Sequence, residues 1–328
     1  MNNTAIIYDD IFLKHNTGNH PENPQRLEWL IPAIRNSPLN RHIDWFKPIP
    51  ATEDEICLVH SPDMLTYIRQ RIAEGGGFLD PDTKVSEDSL EAALSAAGAG
   101  KLALGLVLSQ DYKQVFIPSR PPGHHATSSR SMGFCLFNNP ALCAYIALDY
   151  KLAEKVAIID WDIHHGNGTE EIFYTDDRVL VMSVHQFPFF PGTGFAQDTG
   201  IQKGEGFNIN VPLPEGAGRE DYLRAMNEVF APAVKKFDPD IIIVSAGFDG
   251  HKLDPLGGHN LESADYGEIA AVTKKIALDC KAGGRIIAFL EGGYHPTSLP
   301  ESVLEMLHAW IINGNASHEH EKKVTDVL

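Results

Sequence analysis

The chain has 328 residues, of which 43% are hydrophobic and 22% are charged, as is usual for a globular protein with a sizeable core. Its 44 acidic and 27 basic side chains give a net charge of -17. Such a surface would repel nucleic acid, so we expect no nucleic-acid partner. It favours cationic partners such as basic peptide tails or polyamines.

Three features of the sequence bear on where the protein acts. The N-terminal sequence does not resemble a signal peptide, no uncharged apolar stretch is long enough to span a bilayer, and the four cysteines contain no CxxC pair. We therefore expect a cytoplasmic protein with reduced thiols and no membrane partner. The sequence leaves open whether it forms a homo-oligomer.

Short apolar runs alternate with helical patterns along the chain. The runs predict strands at residues 5–8, 115–117, 156–160, 179–184, 207–211, 241–245 and 285–290. Helices are predicted at residues 25–35, 87–108, 140–148, 219–236, 264–279 and 299–312, and Thr52 with Glu55 predicts a capping box that opens a short helix. The alternation predicts a three-layer αβα fold with a central, mostly parallel sheet. Since no linker or repeat divides the chain, we expect one domain over residues 1–328, with a polar C-terminal tail from about residue 313.

Four of the predicted strands end in polar, glycine-rich sequence. The segments that follow them are PSRPPGHHA, DWDIHHGNG, SAGFDGH and EGGYH. Because ligands of α/β sheets bind at the carboxyl ends of the strands, we expect these four loops to converge on one site.

Two of these loops carry a candidate metal site. Asp160, Asp162 and His164 alternate directly after a buried strand, so an extended backbone would place them on one side. Burying two carboxylates together is costly unless a cation compensates, and carboxylate with imidazole suits zinc or ferrous iron. Asp249 follows another buried strand and is the best third ligand. The alternative, a helix cap followed by a turn, leaves the adjacent histidines and the second acidic strand end unexplained.

The other two loops carry groups suited to proton transfer. His124 and His125 lie in a loop that two prolines and a glycine make rigid, and each ring needs an orienting partner, for which Asp160 and Asn167 are the candidates. Tyr294 follows two glycines at a strand end, where its hydroxyl could donate to a developing oxyanion. Taken singly, a histidine pair or a strand-end tyrosine is more often structural.

Taken together, the loops resemble those of the histone deacetylase family, which has the arginase/deacetylase fold. RPPGHHA, GFCLFNN, DWDIHHGNGT, SAGFD, DPLGG and EGGY follow HPENPQR in the family's order and spacing. They are most similar to the class II and bacterial class II-like deacetylases, the branch that includes acetylpolyamine amidohydrolases. The resemblance implies a zinc-dependent amidohydrolase with zinc ligands Asp162, His164 and Asp249.

The resemblance also implies roles for further residues. His125 would be the general base and acid, hydrogen-bonded to Asn167, His124 would pair with Asp160, and Tyr294 would polarise the acetyl carbonyl. The substrate tunnel and its rim would be formed by Gly133, Phe134, Phe190, Leu256 and Asp82. An internal acetate channel would pass near Arg26.

Structural potassium ions are a further implication of the resemblance. A first site would use Asp160, Asp162, His164, Ser183 and Val184. A second site would use Phe173, Asp176, Val179 and Phe207.

Two positions bear on the substrate. Tyr294 is retained where weakly active family members carry histidine, which implies an active enzyme. Leu256 stands where a dedicated polyamine deacetylase carries an acidic residue, so it disfavours polyamines, although the net charge favours them. We therefore predict hydrolysis of N-acetyl-lysine in a protein or peptide to acetate and free amine, with acetylpolyamine hydrolysis as the alternative.

A non-catalytic acyl-lysine binding module would not need the histidines and Tyr294, and arginase-type hydrolysis would need a two-metal cluster.

Overall fold

The computed structural model describes residues 3–312 of the chain, so the predicted polar tail lies outside the described residues. The ten strands are β1 (Thr4–Ile7), β2 (Ile43–Phe46), β3 (Gly77–Phe78), β4 (Lys84–Val85), β5 (Gln114–Ile117), β6 (Val156–Asp160), β7 (Val179–Gln186), β8 (Asn208–Leu213), β9 (Ile241–Ala246) and β10 (Ile286–Leu290). Eight of them form one sheet in the order β2-β1-β5-β10-β9-β6-β7-β8, and every neighbouring pair in it is parallel. β3 and β4 form a separate antiparallel hairpin.

Helices cover both faces of the sheet. They are α1 (Gln25–Asn36), α2 (Glu53–Ile56), α3 (Pro62–Ala73), α4 (Ser89–Leu108), α5 (Asn139–Asp149), α6 (Asn167–Phe173), α7 (Arg219–Arg224), α8 (Ala231–Phe237), α9 (Ser263–Leu278) and α10 (Ser298–Ile311). Successive strand residues point to opposite faces, so Ile159 and Ile242 join the core under α1 and α7–α10. Ile158 and Ile243 join the core under α3, α4 and α5. The predicted three-layer αβα fold is therefore confirmed.

Some elements differ from the sequence prediction. The edge strand β2, the β3–β4 hairpin and helices α3 and α6 were not predicted. The predicted helix at residues 219–236 is divided into α7 and α8 by a π-helical turn, Ala225–Phe230. Pro232 lacks the N–H that a regular helix requires there, and the wider turn precedes it. The capping box is present: Thr52 Oγ1 accepts from Glu55 N–H at 3.2 Å, and Glu55 Oε2 accepts from Thr52 N–H at 2.9 Å.

Among the described residues, α4 is the one helix long and apolar enough to cross a bilayer. Of its most apolar stretch, 61% is buried inside the fold, and its alanine and leucine side chains pack in the core beside α5. Burial of this extent is typical of a core helix.

The strand order explains why the polar loops meet. β5, β10, β9 and β6 are neighbours at the centre of the sheet. Because the strands are parallel, the segments that follow them leave from the same edge. These four strands carry the four polar, glycine-rich segments, so the topology places all four at one position.

Candidate active site

Within residues 3–312, the structure brings together one group of side chains that could hold a metal ion: Asp162, His164 and Asp249. One ligand atom of each lies within 4.8 Å of the others. His164 Nδ1 is 3.1 Å from both Asp162 Oδ1 and Asp249 Oδ2. Burial disfavours a charged imidazole, yet the two carboxylates raise the pKa of His164 to about 10. The centre of this group therefore strongly favours a positive charge.

Backbone groups hold the two carboxylates in place. Gly292 N–H donates to Asp162 Oδ2 at 2.8 Å, and Ile163 N–H donates to Asp249 Oδ1 at 3.1 Å. A β-carbon at Gly292 would lie 1.8 Å from Asp249 Oδ2, so only glycine fits beside the carboxylates. Two buried carboxylates and one imidazole leave coordination positions for water and substrate. This donor set fits zinc or ferrous iron.

The tandem histidines are oriented by the partners expected from the sequence. His124 Nδ1 lies 3.0 Å from Asp160 Oδ2, and His125 Nδ1 lies 2.8 Å from Asn167 Oδ1. The two rings lie with their centres 4.0 Å apart. Since Asn167 Oδ1 only accepts, His125 Nδ1 carries the proton, and its Nε2 is left free to accept one.

The two histidines have opposite charge preferences. Burial disfavours the charged form of both rings. For His124, the carboxylates of Asp160, Asp162 and Glu291 outweigh burial and raise the pKa to about 10. For His125, burial and the positive charge on His124 hold the pKa well below its usual value. His125 is therefore the neutral imidazole of the pair.

Tyr294 lines a cavity that it shares with His124, His125 and His164. Burial raises the pKa of its phenol well above the ordinary value, so the hydroxyl remains a proton donor. Its backbone N–H donates to Asp254 Oδ2 at 2.7 Å, and its ring lies edge-on to Phe134 with centres 5.9 Å apart. The phenol is thus fixed from both its backbone and its ring.

One cavity of about 280 Å³ contains the candidate catalytic and substrate-binding groups. Its lining includes His124, His125, His164, Tyr294, Asp82, Gly133, Phe134, Cys135, Phe189, Phe190, Leu256, Pro122 and Gly292. Phe190 meets the His125 ring edge-on at 5.2 Å. Gly133 has a φ of +56°, and a β-carbon there would lie 2.4 Å from the His125 ring, so a side chain at this position would displace the imidazole. All five residues predicted for the tunnel and rim line this cavity.

Arg26 lies behind Tyr294 rather than in the cavity lining. Its Nε donates to Gly293 O at 2.7 Å, its Nη2 donates to Glu291 O, and its guanidinium lies 4.7 Å from the centre of the Tyr294 ring. Glu22 is its buried ion-pair partner at 3.4 Å. The structure therefore places Arg26 as a support of the Tyr294 segment, and the acetate channel stays a prediction.

The residues predicted to bind potassium lie in two groups. Asp160 and Ser183 are register partners on β6 and β7, and Ser183 Oγ is 2.8 Å from His185 Nδ1. The second group lies where α6 leads into β7, and Asp176 N–H donates to Phe173 O at 3.0 Å. Val184 and Val179 belong to β7, and Phe207 accepts a hydrogen bond from that strand. Both potassium sites stay predictions.

Two further buried carboxylates at the site were not predicted. Glu291 Oε2 accepts from the N–H groups of Gly123 and His124, and Asp254 binds the N–H groups of Leu256 and Tyr294. Burial raises the pKa of Glu291 to about 8 and that of Asp254 to about 7. A lone acidic residue directly after an apolar strand was the available signal for Glu291.

Known proteins share this arrangement of sequence and fold. The sequence profile of the histone deacetylase domain matches residues 20–310. The chain is 38% identical over 295 residues to a probable deacetylase of Archaeoglobus fulgidus, covering 89% of this chain and 81% of the relative. It is 35% identical over 319 residues to the histone deacetylase-like amidohydrolase of Pseudomonas aeruginosa, covering 90% and 83%. The solved HDA15 HD domain matches with a TM-score of 0.89 at 34% identity, over 96% of this chain and 89% of that one. The chain therefore belongs to the histone deacetylase family of deacetylases and amidohydrolases.

Proposed function

We propose that the protein is a zinc-dependent deacetylase that hydrolyses the acetyl amide of N-acetyl-lysine in a peptide or protein. The proposal rests on the side chains that one cavity brings together. A neutral imidazole, a protonated phenol and a group of three metal-binding side chains line it or lie against it. A module that only bound acyl-lysine would have no need of a proton acceptor and an oxyanion donor.

In the proposed reaction, zinc held by Asp162, His164 and Asp249 would supply a Lewis acid for the acetyl carbonyl and the attacking water. His125 Nε2 accepts a proton from that water as its oxygen attacks the acetyl carbon. The Tyr294 hydroxyl donates a hydrogen bond to the carbonyl oxygen as negative charge develops there. The carbon–nitrogen bond then breaks, and His125 returns the proton to the leaving amine. The products are acetate and the free amine.

The histidine pair suits this proton transfer because its members differ. His125 is neutral before the reaction, and the Asn167 amide oxygen keeps its Nδ1 protonated and its ring oriented. His124 is held by Asp160 and supplies positive charge next to the reacting groups. This division supports His125 as the base and His124 as an electrostatic partner.

The cavity walls favour a lysine side chain as the substrate. Phe134 and Phe190 offer apolar surface to an alkyl stem, and Leu256 offers no partner for a second ammonium group. Acetylpolyamine hydrolysis is the second candidate, because the net charge of -17 attracts polycations and Asp82 also lines the cavity. Burial and the neighbouring Asp80 raise the pKa of Asp82, which weakens it as an anionic partner.

One panel of assays tests the proposal. Hydrolysis of an acetyl-lysine peptide, N-acetylputrescine and agmatine is measured with and without a chelator, followed by re-addition of Zn²⁺ or Fe²⁺. We expect chelator-sensitive release of acetate, with the peptide preferred over the polyamine. Preference for N-acetylputrescine would establish the second candidate. Peptide binding without acetate release under any metal would show a binding module instead.

A further inference from the structure

Glu291 has an unusual environment for a charged side chain. It directly follows β10 and is fully buried. Its Oε2 accepts from Gly123 N–H at 2.7 Å and from His124 N–H at 3.2 Å. Its Oε1 is buried without a hydrogen-bond partner in the part of the chain that the structure describes. One carboxylate oxygen therefore binds two consecutive amides of the tandem-histidine loop, and the other oxygen binds nothing.

No lysine or arginine side chain within residues 3–312 pairs with this carboxylate. The nearby Arg26 donates to the backbone oxygen of Glu291, and its carboxylate partner is Glu22. Burial therefore raises the pKa of Glu291 to about 8, against the opposing effects of His124 and the two amides. An unpaired buried carboxyl is costly to fold, and such groups concentrate at functional sites.

The segment from Glu291 to Tyr294 binds several parts of the site. Gly292 N–H holds Asp162, Tyr294 provides the phenol, and Glu291 reaches back to the loop that carries the histidines. We propose that Glu291 is a positioning residue whose Oε2 fixes the tandem-histidine loop relative to Tyr294 by binding the amides of Gly123 and His124. This inference rests on the proposed deacetylase function.

Two substitutions of Glu291 separate the length of its side chain from the presence of its carboxyl group. Gln has the length of Glu, so its amide oxygen can accept both N–H groups, while its NH₂ group takes the place of the unpartnered Oε1. Asp keeps the carboxyl group, but it is one methylene shorter and cannot reach both amides without movement of a loop. If Oε2 acts by positioning, Glu291→Gln preserves the function and Glu291→Asp does not.

The experiment measures kcat and KM of the zinc-loaded wild type, Glu291→Gln and Glu291→Asp on the acetyl-lysine peptide. Because misplacement of about 1 Å can cost about 10²-fold in rate, we expect kcat to fall roughly 10²-fold in Glu291→Asp. KM should change little, since the walls that bind the lysine stem are untouched. Glu291→Gln should retain kcat to within about threefold, because both amide contacts are preserved. Glu55→Gln, which alters another buried glutamate that does not line the cavity, serves as the matched control.

Two further measurements do not depend on turnover. Zinc content should be equal in all variants, since Glu291 is not a proposed ligand. In proteins labelled with ¹⁵N-histidine, the imidazole N–H signals of His124 and His125 should persist in Glu291→Gln and shift or exchange in Glu291→Asp. These signals report the Nδ1 contacts to Asp160 and Asn167 directly.

Opposite results would overturn the inference. An inactive or unfolded Glu291→Gln beside an active Glu291→Asp would show that the carboxyl group itself matters and its reach does not. Equal, near-normal kcat values and equal imidazole signals in both variants would show that the contact positions nothing. A wild type inactive on every acetyl amide would refute the proposed function instead, and the imidazole signals would still decide the role of Glu291.

Discussion

Two buried histidines, His60 and His125, show how the same side chain is used in different ways in this protein. His60 has both ring nitrogens bonded to backbone: Nδ1 lies 2.8 Å from Thr127 O, and Nε2 accepts from Asn138 N–H at 2.9 Å. His125 has one nitrogen bonded to Asn167, and its ring lines the cavity. Burial lowers the pKa of both. Neutrality alone therefore does not identify a candidate base, because the ring also needs a nitrogen that is free to accept a proton beside the cavity.

The contrast implies that catalysis depends on the groups that face the cavity, while His60 serves the fold. The same distinction applies to the acidic residues. Asp249 contributes an oxygen to the group that could hold a metal ion, whereas the Glu22 carboxylate pairs with Arg26 and Arg120. Substitution of a group that faces the cavity should therefore lower turnover or zinc content. Substitution of a residue that serves the fold should instead lower the free energy of unfolding.

The largest effect is expected from Asp249→Ala, which removes one of the three proposed metal ligands. Zinc content, measured by mass spectrometry after gel filtration, should fall to background, and turnover should be abolished. Full zinc occupancy in Asp249→Ala would remove Asp249 from the ligand set. The control is Asp279→Asn, which changes an aspartate at the end of α9 and should leave zinc content unchanged.

The next effect is expected from His125→Ala. Loss of a general base typically costs about 10²–10⁴-fold, so kcat should fall by that factor. Zinc content should stay normal, since His125 is outside the metal group. Steady-state kinetics and metal analysis on the same preparation test this. A kcat within tenfold of wild type would show that another group accepts the proton, and His124 would be the first to examine.

A somewhat smaller effect is expected from Tyr294→Phe. The ring contact with Phe134 and the backbone contact with Asp254 remain, and only the hydroxyl is lost. Removal of one oxyanion donor costs about 10²–10³-fold in kcat. Zinc content and the melting temperature should stay close to those of wild type. Near-normal turnover would exclude Tyr294 from the reaction.

The sequence predicted the centre of the fold better than its edges. The first four residues of β6 and of β9 are all apolar, because both faces of the sheet are covered there. The edge strand β2 was missed because Asp44 interrupts its apolar pattern and only Ile43 is fully buried. Helix α3, in contrast, has a start signal in Ser61 and the following proline, and its buried residues Met64, Leu65 and Ile68 lie at helical spacing, so the sequence carried a signal for it that the prediction missed.

In the site, too, some residues could be predicted from the sequence and others could not. Asp162 and His164 could be predicted because their spacing in one segment already places both side chains together, and Asp249 occupies the corresponding strand end. Glu291 and Asp254 could not be assigned a role, because the contacts that join them to the site are with backbone amides far away in the chain, at Gly123 and Tyr294, and such contacts leave no side-chain pattern in the sequence. Such contacts depend on the sheet order, and a sequence does not state that order.

The smallest effect on turnover is expected from His60→Gln, which tests the other side of the comparison. Gln keeps an acceptor for Asn138 N–H, but its NH₂ group does not occupy the Nδ1 position that donates to Thr127 O, so the free energy of unfolding should fall by about 1–3 kcal/mol at pH 7. The kcat of the folded protein should stay within about threefold of wild type, because His60 is not in the cavity lining. A loss comparable with that of His125→Ala would refute the division between structural and catalytic histidines.

The pH dependence of stability gives this variant a second readout. Burial lowers the pKa of His60 from 6.5 to about 4, so between these values the unfolded chain binds more protons than the folded one. The free energy of unfolding therefore falls as the pH drops from 6.5 towards 4, and His60 accounts for about 3 kcal/mol of that fall. Urea unfolding of wild type and His60→Gln at pH 7.0, 6.0 and 5.0 should show a shallower slope for the variant. Parallel slopes would mean that the other buried histidines carry the dependence, and that protonated His60 is tolerated in the fold.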